Sequence, residues 1–111
     1  MAKFELFKSD ANQNFYFRFE NSAGSQLLKS EGYTGKSSCS NGIESVKKNA
    51  SLDGRYDRKG SSSGNYTFNL KAANGEIIAT SSKTYGTSSD RDAAIEIIKK
   101  EAPGAPTVDL T

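Results

Sequence analysis

Apolar and polar residues alternate along two segments of the chain. Phe15, Phe17 and Phe19 are interleaved with Tyr16, Arg18 and Glu20, and Tyr66, Phe68 and Leu70 with Thr67, Asn69 and Lys71. A period of two is the mark of a strand with one buried face. Each segment runs into a turn, Asn21-Ser-Ala-Gly24 or Ala73-Asn74-Gly75, in which Gly and Asn tolerate positive φ. The apolar stretches Gln26-Leu-Leu-Lys29 and Glu76-Ile-Ile-Ala79 then read as returning hairpin strands. Upstream, Phe4-Glu-Leu-Phe7 and Tyr56-Asp-Arg-Lys59 are candidate first strands. Polar linkers, Asn12-Gln-Asn14 and Gly60-Ser-Ser-Ser-Gly64, join them to the second strands.

The period then changes. Cys39, Ile43, Val46 and Ala50 fall on one stripe of a helix, and Ala94, Ile95, Ile98 and Ala102 make a matching stripe. Ser37 or Ser38, and Ser89 or Asp90, are the expected N-cap residues, whose side-chain oxygens would satisfy free backbone N–H groups. Lys47-Lys48 and Lys99-Lys100 fall in the last turns, where cations offset the negative end of the helix dipole. Pro103-Gly104 closes the second helix, and Thr107-Val-Asp-Leu110 is long enough for a final short strand.

These elements occur twice because the chain is an internal duplication. Asn14-Phe-Tyr-Phe-Arg-Phe-Glu-Asn-Ser-Ala-Gly24 aligns with Asn65-Tyr-Thr-Phe-Asn-Leu-Lys-Ala-Ala-Asn-Gly75 at an offset of 51. From Tyr33 and Tyr85 onward the offset is 52, and Ile-Glu-x-x-Lys-Lys-x-Ala stands in both copies, from Ile43 and from Ile95. The expected organisation is one domain over residues 1–111, built of repeats at about 1–52 and 53–111. Each repeat reads β-β-β-α. A repeat of this size buries little more than about half of its surface, too little to offset backbone entropy of about 1–2 kcal/mol per residue. The two sheets are therefore expected to merge, with both helices on one face about a pseudo-twofold axis.

Glu31-Gly-Tyr33, Asn41-Gly-Ile-Glu-Ser-Val-Lys-Lys-Asn-Ala50 and Asn69-Leu-Lys-Ala-Ala-Asn-Gly-Glu-Ile-Ile-Ala-Thr80 resemble the YegP-like family, small bacterial proteins of unknown function. The resemblance extends over nearly the whole chain. It implies an α+β fold of two β-β-β-α-β units sharing one antiparallel sheet, with the C-terminal strands exchanged between units. On this resemblance Thr107-Val-Asp-Leu110 is one exchanged strand, and the segment around Ala50-Ser-Leu52 is its counterpart from the first repeat. The second repeat departs from the first at Lys83-Thr84 and at Ala93-Ala94, which replaces Asn41-Gly42. The family brings no activity, substrate or cofactor with it.

Composition narrows the chemistry. The 111 residues contain no His, no Trp and one Cys, Cys39. That removes His-dependent triads, His-ligated metals, intrachain disulfides and thiolate zinc sites. Cys39, on the apolar stripe, is expected to be a buried structural thiol. Fifteen basic against thirteen acidic residues leave +2, too little to require nucleic acid or a membrane surface. No apolar run approaches the ~20 residues of a membrane span and no leader is evident, so a reducing bacterial cytoplasm is the expected location. Asn49-Ala-Ser51 and Asn65-Tyr-Thr67 are then chance glycosylation patterns.

Few motifs survive inspection. Gly35-Lys36-Ser37 has the ending of a phosphate-binding loop, but Ser30 stands where the loop needs Gly and the second repeat has no Lys there. A turn with weak anion capture at the helix N-terminus is what remains. Ser45-Val-Lys-Lys48 fits a Ser-x-x-Lys pattern without its companion motifs, in a chain with sixteen serines and eleven lysines. Asp90 and Asp92 suit helix capping better than paired-acid catalysis. Phe15-Tyr-Phe-Arg-Phe19 superficially suggests an RNA-binding strand but lacks the flanking glycines.

The expected function is binding without catalysis, through the outer sheet face or a free strand edge. The alternative is anion or nucleic-acid binding at the first helix N-terminus and the basic surface; an enzyme ranks third. The candidate residues are Gly35, Lys36 and Ser37 at the helix start, and Tyr16, Arg18, Asn69 and Lys71 on the outer face. No metal or cofactor is expected. The partner is unknown; a protein is favoured over nucleic acid, and the chain is expected to be a monomer with internal pseudo-symmetry.

Overall fold

The computed structural model describes residues 2–60 and 64–111. The strands of the first repeat are β1 (Lys3–Lys8), β2 (Phe15–Glu20) and β3 (Gln26–Lys29), followed by helix α1 (Lys36–Asn49). The second repeat has β4 (Tyr56–Lys59), β5 (Thr67–Lys71), β6 (Ile77–Ser81), helix α2 (Ser88–Glu101) and the terminal strand β7 (Thr107–Asp109). The centre of the serine linker between β4 and β5 lies outside the described residues.

All seven strands form one sheet in the order β4-β5-β6-β3-β2-β1-β7. The half-sheets join where β3 meets β6, through the pairs Leu28–Ser81 and Lys29–Thr80. Lys29 and Thr80 are equivalent positions of the repeat, so the pseudo-twofold axis passes between them. Equivalent serines brace the two halves: Ser30 Oγ accepts from Phe17 N–H, and Ser81 Oγ accepts from Phe68 N–H.

One face carries Phe4, Leu6, Phe17, Phe19, Leu28, Phe68 and Leu70 against Cys39, Ile43 and Val46 of α1 and Ile95 and Ile98 of α2, all of them buried. Fully burying side chains of this size contributes about 1.5–3 kcal/mol each. Both helices stand on this face. Tyr56 donates its hydroxyl to Ala50 O at the end of α1, and Arg58 Nε donates to Asp92 of α2. Burial in this core raises the Cys39 thiol to about 11, which keeps it protonated.

Three expectations need correction. The sheet is not antiparallel throughout, because β7 runs parallel to β1, with Phe4 opposite Thr107 and Leu6 opposite Asp109. Among the described residues the first repeat has no counterpart of this strand. Ala50 and Ser51 form a turn into a 3-10 turn at Asp53–Arg55, because the chain must enter β4 directly. The helix caps also fall earlier than expected: α1 starts after Gly35 with no side-chain cap, and Thr87 caps α2 by accepting from Asp90 N–H. Asp92 is not a cap but an ion-pair partner of Arg58 and Arg91.

The missing strand leaves β4 as an open edge and changes its side chains. Leu6 is 2% exposed beside β7, whereas its repeat equivalent is Arg58. Arg58 points to the helix side and pairs with both Asp53 and Asp92, while Lys99 also pairs with Asp53. Arg58 and Lys99 together hold the Asp53 carboxyl down at about 2. An inward-pointing charge on a short edge strand discourages pairing with another sheet. Arg91 adds to this by donating from Nη1 to Lys59 O. Arg58→Leu, which restores the residue of the first repeat, is expected to promote association through β4. Light scattering after size exclusion should show a concentration-dependent rise in mass that wild type lacks.

Gly42 packs α1 tightly against Tyr33 and Phe17. A Cβ there would lie 2.6 Å from Tyr33 Oη and 3.0 Å from Phe17. The second repeat accommodates Ala94 at the same position, and there the Tyr85 hydroxyl is buried without a hydrogen-bond partner among the described residues. Gly42→Ala gains about 1 kcal/mol of helix propensity and incurs about 1–3 kcal/mol of overpacking. A net loss of roughly 1–2 kcal/mol is expected, read as a lower urea midpoint at unchanged slope.

Candidate functional site

The face away from the helices is the open one. Alternation from the buried Phe4, Leu6, Phe17 and Phe19 places Glu5, Phe7, Tyr16 and Arg18 on it. The cross-strand register runs on as Asp57, Asn69, Thr80, Lys29, Arg18, Glu5 and Val108, one residue from each strand. In the first repeat this face holds a cleft of about 390 Å³, lined by Phe7, Tyr16, Arg18 and Lys29 with Ser9, Gln26 and Ser30 at its sides.

An aromatic and cationic ladder forms the cleft. Phe7 and Tyr16, opposite each other on β1 and β2, stack with centroids 5.9 Å apart and planes 20° from parallel. The Arg18 guanidinium lies 4.7 Å above Phe7, a contact of about 0.5–1 kcal/mol at an exposed site. Its Nε donates to Glu5 Oε1 at 2.7 Å. Tyr16 Oη accepts from Asn12 Nδ2 at 2.8 Å, and Gly32 packs against the same phenol. Lys29 stands beside Arg18 and has no ion-pair partner among the described residues.

Glu5 is buried by Arg18 and by Val108 of the paired strand β7. The Arg18 guanidinium, more than any other group, holds its carboxyl below the usual carboxylate range, with Glu20 and Lys3 adding to the effect. The groups lining the cleft offer recognition but no activated nucleophile. Ser30 Oγ is engaged between Phe17 N–H and Glu31 O, and Ser9 Oγ accepts from Ala11 N–H. Among the described residues no three His, Cys, Asp or Glu side chains come together as metal ligands.

The other candidates are dispersed. Asn69 and Lys71 share the outer face but belong to β5, three strands from Arg18, and Lys71 pairs with Asp57. Gly35, Lys36 and Ser37 begin α1, on the helix side of the sheet. There Lys36 forms an ion pair with Asp109 of β7, and the Asp109 carboxyl is driven well down by it. The structure thus brings together Tyr16 and Arg18, and adds Phe7, Lys29 and Glu5. Phe7 was open to detection, since it falls out of phase with the inward Phe4 and Leu6. Lys29 follows in the same way from the inward Leu28.

Comparison with known proteins places this fold in a family. The model of a domain of unknown function, DUF1508, matches twice, over residues 10–57 and 61–109. A UPF0339 protein encoded in the ptx operon 5' region of Stutzerimonas stutzeri is 45% identical over 96% of this chain and 95% of its own length. UPF0339 protein YegP of Escherichia coli K12 is 42% identical over 97% and 96%. The solution NMR structure of UPF0339 protein SO3888 from Shewanella oneidensis superposes with a TM-score of 0.90 at 39% identity, covering 99% of this chain and 92% of that one. No helix among the described residues is long and apolar enough to cross a membrane.

Titration tests the Glu5–Arg18 pair. A carboxyl with a depressed folded-state pKa stabilises the fold above its unfolded value of 4.5, and that contribution is lost as pH falls through the lower folded value. The difference in urea stability between pH 7 and pH 3 is therefore expected to shrink in Arg18→Gln. An unchanged difference would mean that the pair does not couple to folding. With two domain matches and near-complete alignments to the UPF0339 proteins, this chain belongs to the DUF1508, YegP-like family.

Proposed function

We propose that this protein is a non-catalytic binding module that engages a protein partner through the outer face of its first repeat. The observation that carries the reading is the cleft in which Phe7, Tyr16, Arg18 and Lys29 stand together on a helix-free sheet face. Aromatic and Arg side chains on a rigid scaffold are the residues that most often dominate protein–protein binding energy. Its contact with the Phe7 ring and its bond to Glu5 hold Arg18 in place before any partner arrives, which lowers the ordering cost of binding.

The strand edges favour the face over the edge as the binding element. β4 is short and carries Arg58 and Lys59, and β7 spans three residues. Nucleic-acid binding at the candidate residues is weakened by charge pairing. Lys36, Lys71 and Arg18 each face a carboxylate, which leaves Lys29 as the cleft cation able to meet a phosphate backbone.

A photo-crosslinking amino acid at position 16, with position 40 on the exposed side of α1 as control, tests the reading in cells. A discrete protein adduct is expected from position 16, absent from position 40 and lost in Lys29→Glu. Identical adducts from both positions would overturn it. So would salt-dependent binding of a single-stranded oligonucleotide that Lys29→Glu abolishes.

A further inference from the structure

The pseudo-twofold axis generates a second pair of sites, and they are not filled alike. The C-terminal end of each helix faces the β-turn of the opposite repeat. At the end of α2, Glu101 bridges to the first-repeat turn: Ser22 N–H donates to Oε1 at 2.9 Å and Ser22 Oγ donates to Oε2 at 3.3 Å. The cleft around this contact is lined by Ala2, Ser22, Glu101, Gly104, Ala105 and Pro106, with no cation among them. A carboxylate of the chain itself occupies the turn.

The equivalent cleft, at the end of α1, has a volume of about 410 Å³. Asn49 stands at the repeat position of Glu101, and Ala73 at that of Ser22. Asn49 does not reach the turn. Its Oδ1 instead accepts from Arg55 Nε at 2.9 Å, and its Nδ2 donates to Ser45 O. The amides of Ala73 and Asn74 consequently have no hydrogen-bond partner among the described residues. Where the first-repeat turn satisfies Ala23 N–H with Asn21 Oδ1, the second has Ala72, which has no side-chain acceptor.

The charge is inverted as well. Lys48 and Arg55 line this cleft, neither pairs with a carboxylate among the described residues, and Ser45 adds a hydroxyl. Arg55 is held at Nε by the buried Asn49, which leaves its two terminal nitrogens for a ligand. Unpartnered turn amides, a braced guanidinium and an ammonium are the donors that recognise an oxyanion. These cations also offset the negative end of α1, which would otherwise repel an anion.

We infer that the cleft between the α1 C-terminus and the β5–β6 turn is an oxyanion-binding site, taking from outside the carboxylate or phosphate group that Glu101 supplies internally in the other repeat. The Ala73 and Asn74 amides replace those of the first-repeat turn, and Arg55 and Lys48 supply the countercharge. This site lies apart from the aromatic cleft and does not depend on it.

Amide-resolved NMR titration of the full chain with inorganic phosphate, at low ionic strength, tests the assignment. The Ala73 and Asn74 resonances are expected to shift along a saturable curve while Ser22 stays still. Arg55→Ala should weaken binding on the order of tenfold, the loss expected for one charge-assisted hydrogen bond. Asn49→Glu should abolish it and move the Ala73 resonance in the absence of phosphate, because the chain then carries its own carboxylate at the turn. A parallel titration with acetate identifies which oxyanion the cleft prefers, by which saturates at lower concentration. Non-saturating shifts, equal shifts at Ser22, or binding unchanged in the exposed-side-chain variant Lys48→Ala together with Arg55→Ala would overturn the inference. Arg55→Ala decides the matter if Asn49→Glu fails to fold.

Discussion

Two ladder pairs, Leu28–Ser81 and Lys29–Thr80, and a further bond from Ser82 N–H to Leu27 O join the half-sheets through the backbone, and the shared core depends on that short seam. It sets the two helices side by side and lets Phe17, Phe19, Phe68 and Leu70 form one apolar layer beneath them. A three-stranded sheet with a single helix buries a smaller fraction of its surface than the joined repeats do. Beside the seam, Ser30 and Ser81 satisfy the Phe17 amide of β2 and the Phe68 amide of β5, one within each repeat. The core, which draws on both repeats and both helices, adds to the association that the seam begins.

Chain connectivity breaks the symmetry that duplication created. After α2 the chain returns as β7 to pair with β1, whereas after α1 it passes at once into β4. The consequences reach individual side chains. Leu6 is sealed and Glu5 buried where β7 covers the edge, while the matching edge carries Arg58 in a net of Asp53, Asp92 and Lys99. The same asymmetry separates the outer faces, with Glu5, Arg18 and Lys29 in one repeat and Asp57, Asn69 and Thr80 in the other. Two sites of related geometry therefore present different chemistry.

Much of the fold was legible because hydrophobic period and burial are tied residue by residue. The stripes Cys39, Ile43, Val46 and Ala50, and Ala94, Ile95, Ile98 and Ala102, are all buried, as their spacing requires. Caps were less legible, since several Ser and Thr compete near each helix start and backbone geometry selects among them. The parallel pairing of β7 had no local signal, because three residues carry no preference for direction. Part of the outer cleft was readable from alternation, through Tyr16 and Arg18. The ladder was not, because cross-strand register decides that Phe7 meets Tyr16 and that Lys29 meets Arg18.

The parallel strand β7 also imposes an order of events on folding. Phe4 and Thr107 are about a hundred residues apart in sequence, so their pairing closes a long loop. Loop closure of this kind is entropically costly, and topologies rich in distant contacts fold slowly. During synthesis, β1 leaves the ribosome long before its covering strand β7. The outer edge of β1 is therefore bare until β7 emerges, and chaperone contact or aggregation at that edge competes with completion of the sheet over that interval.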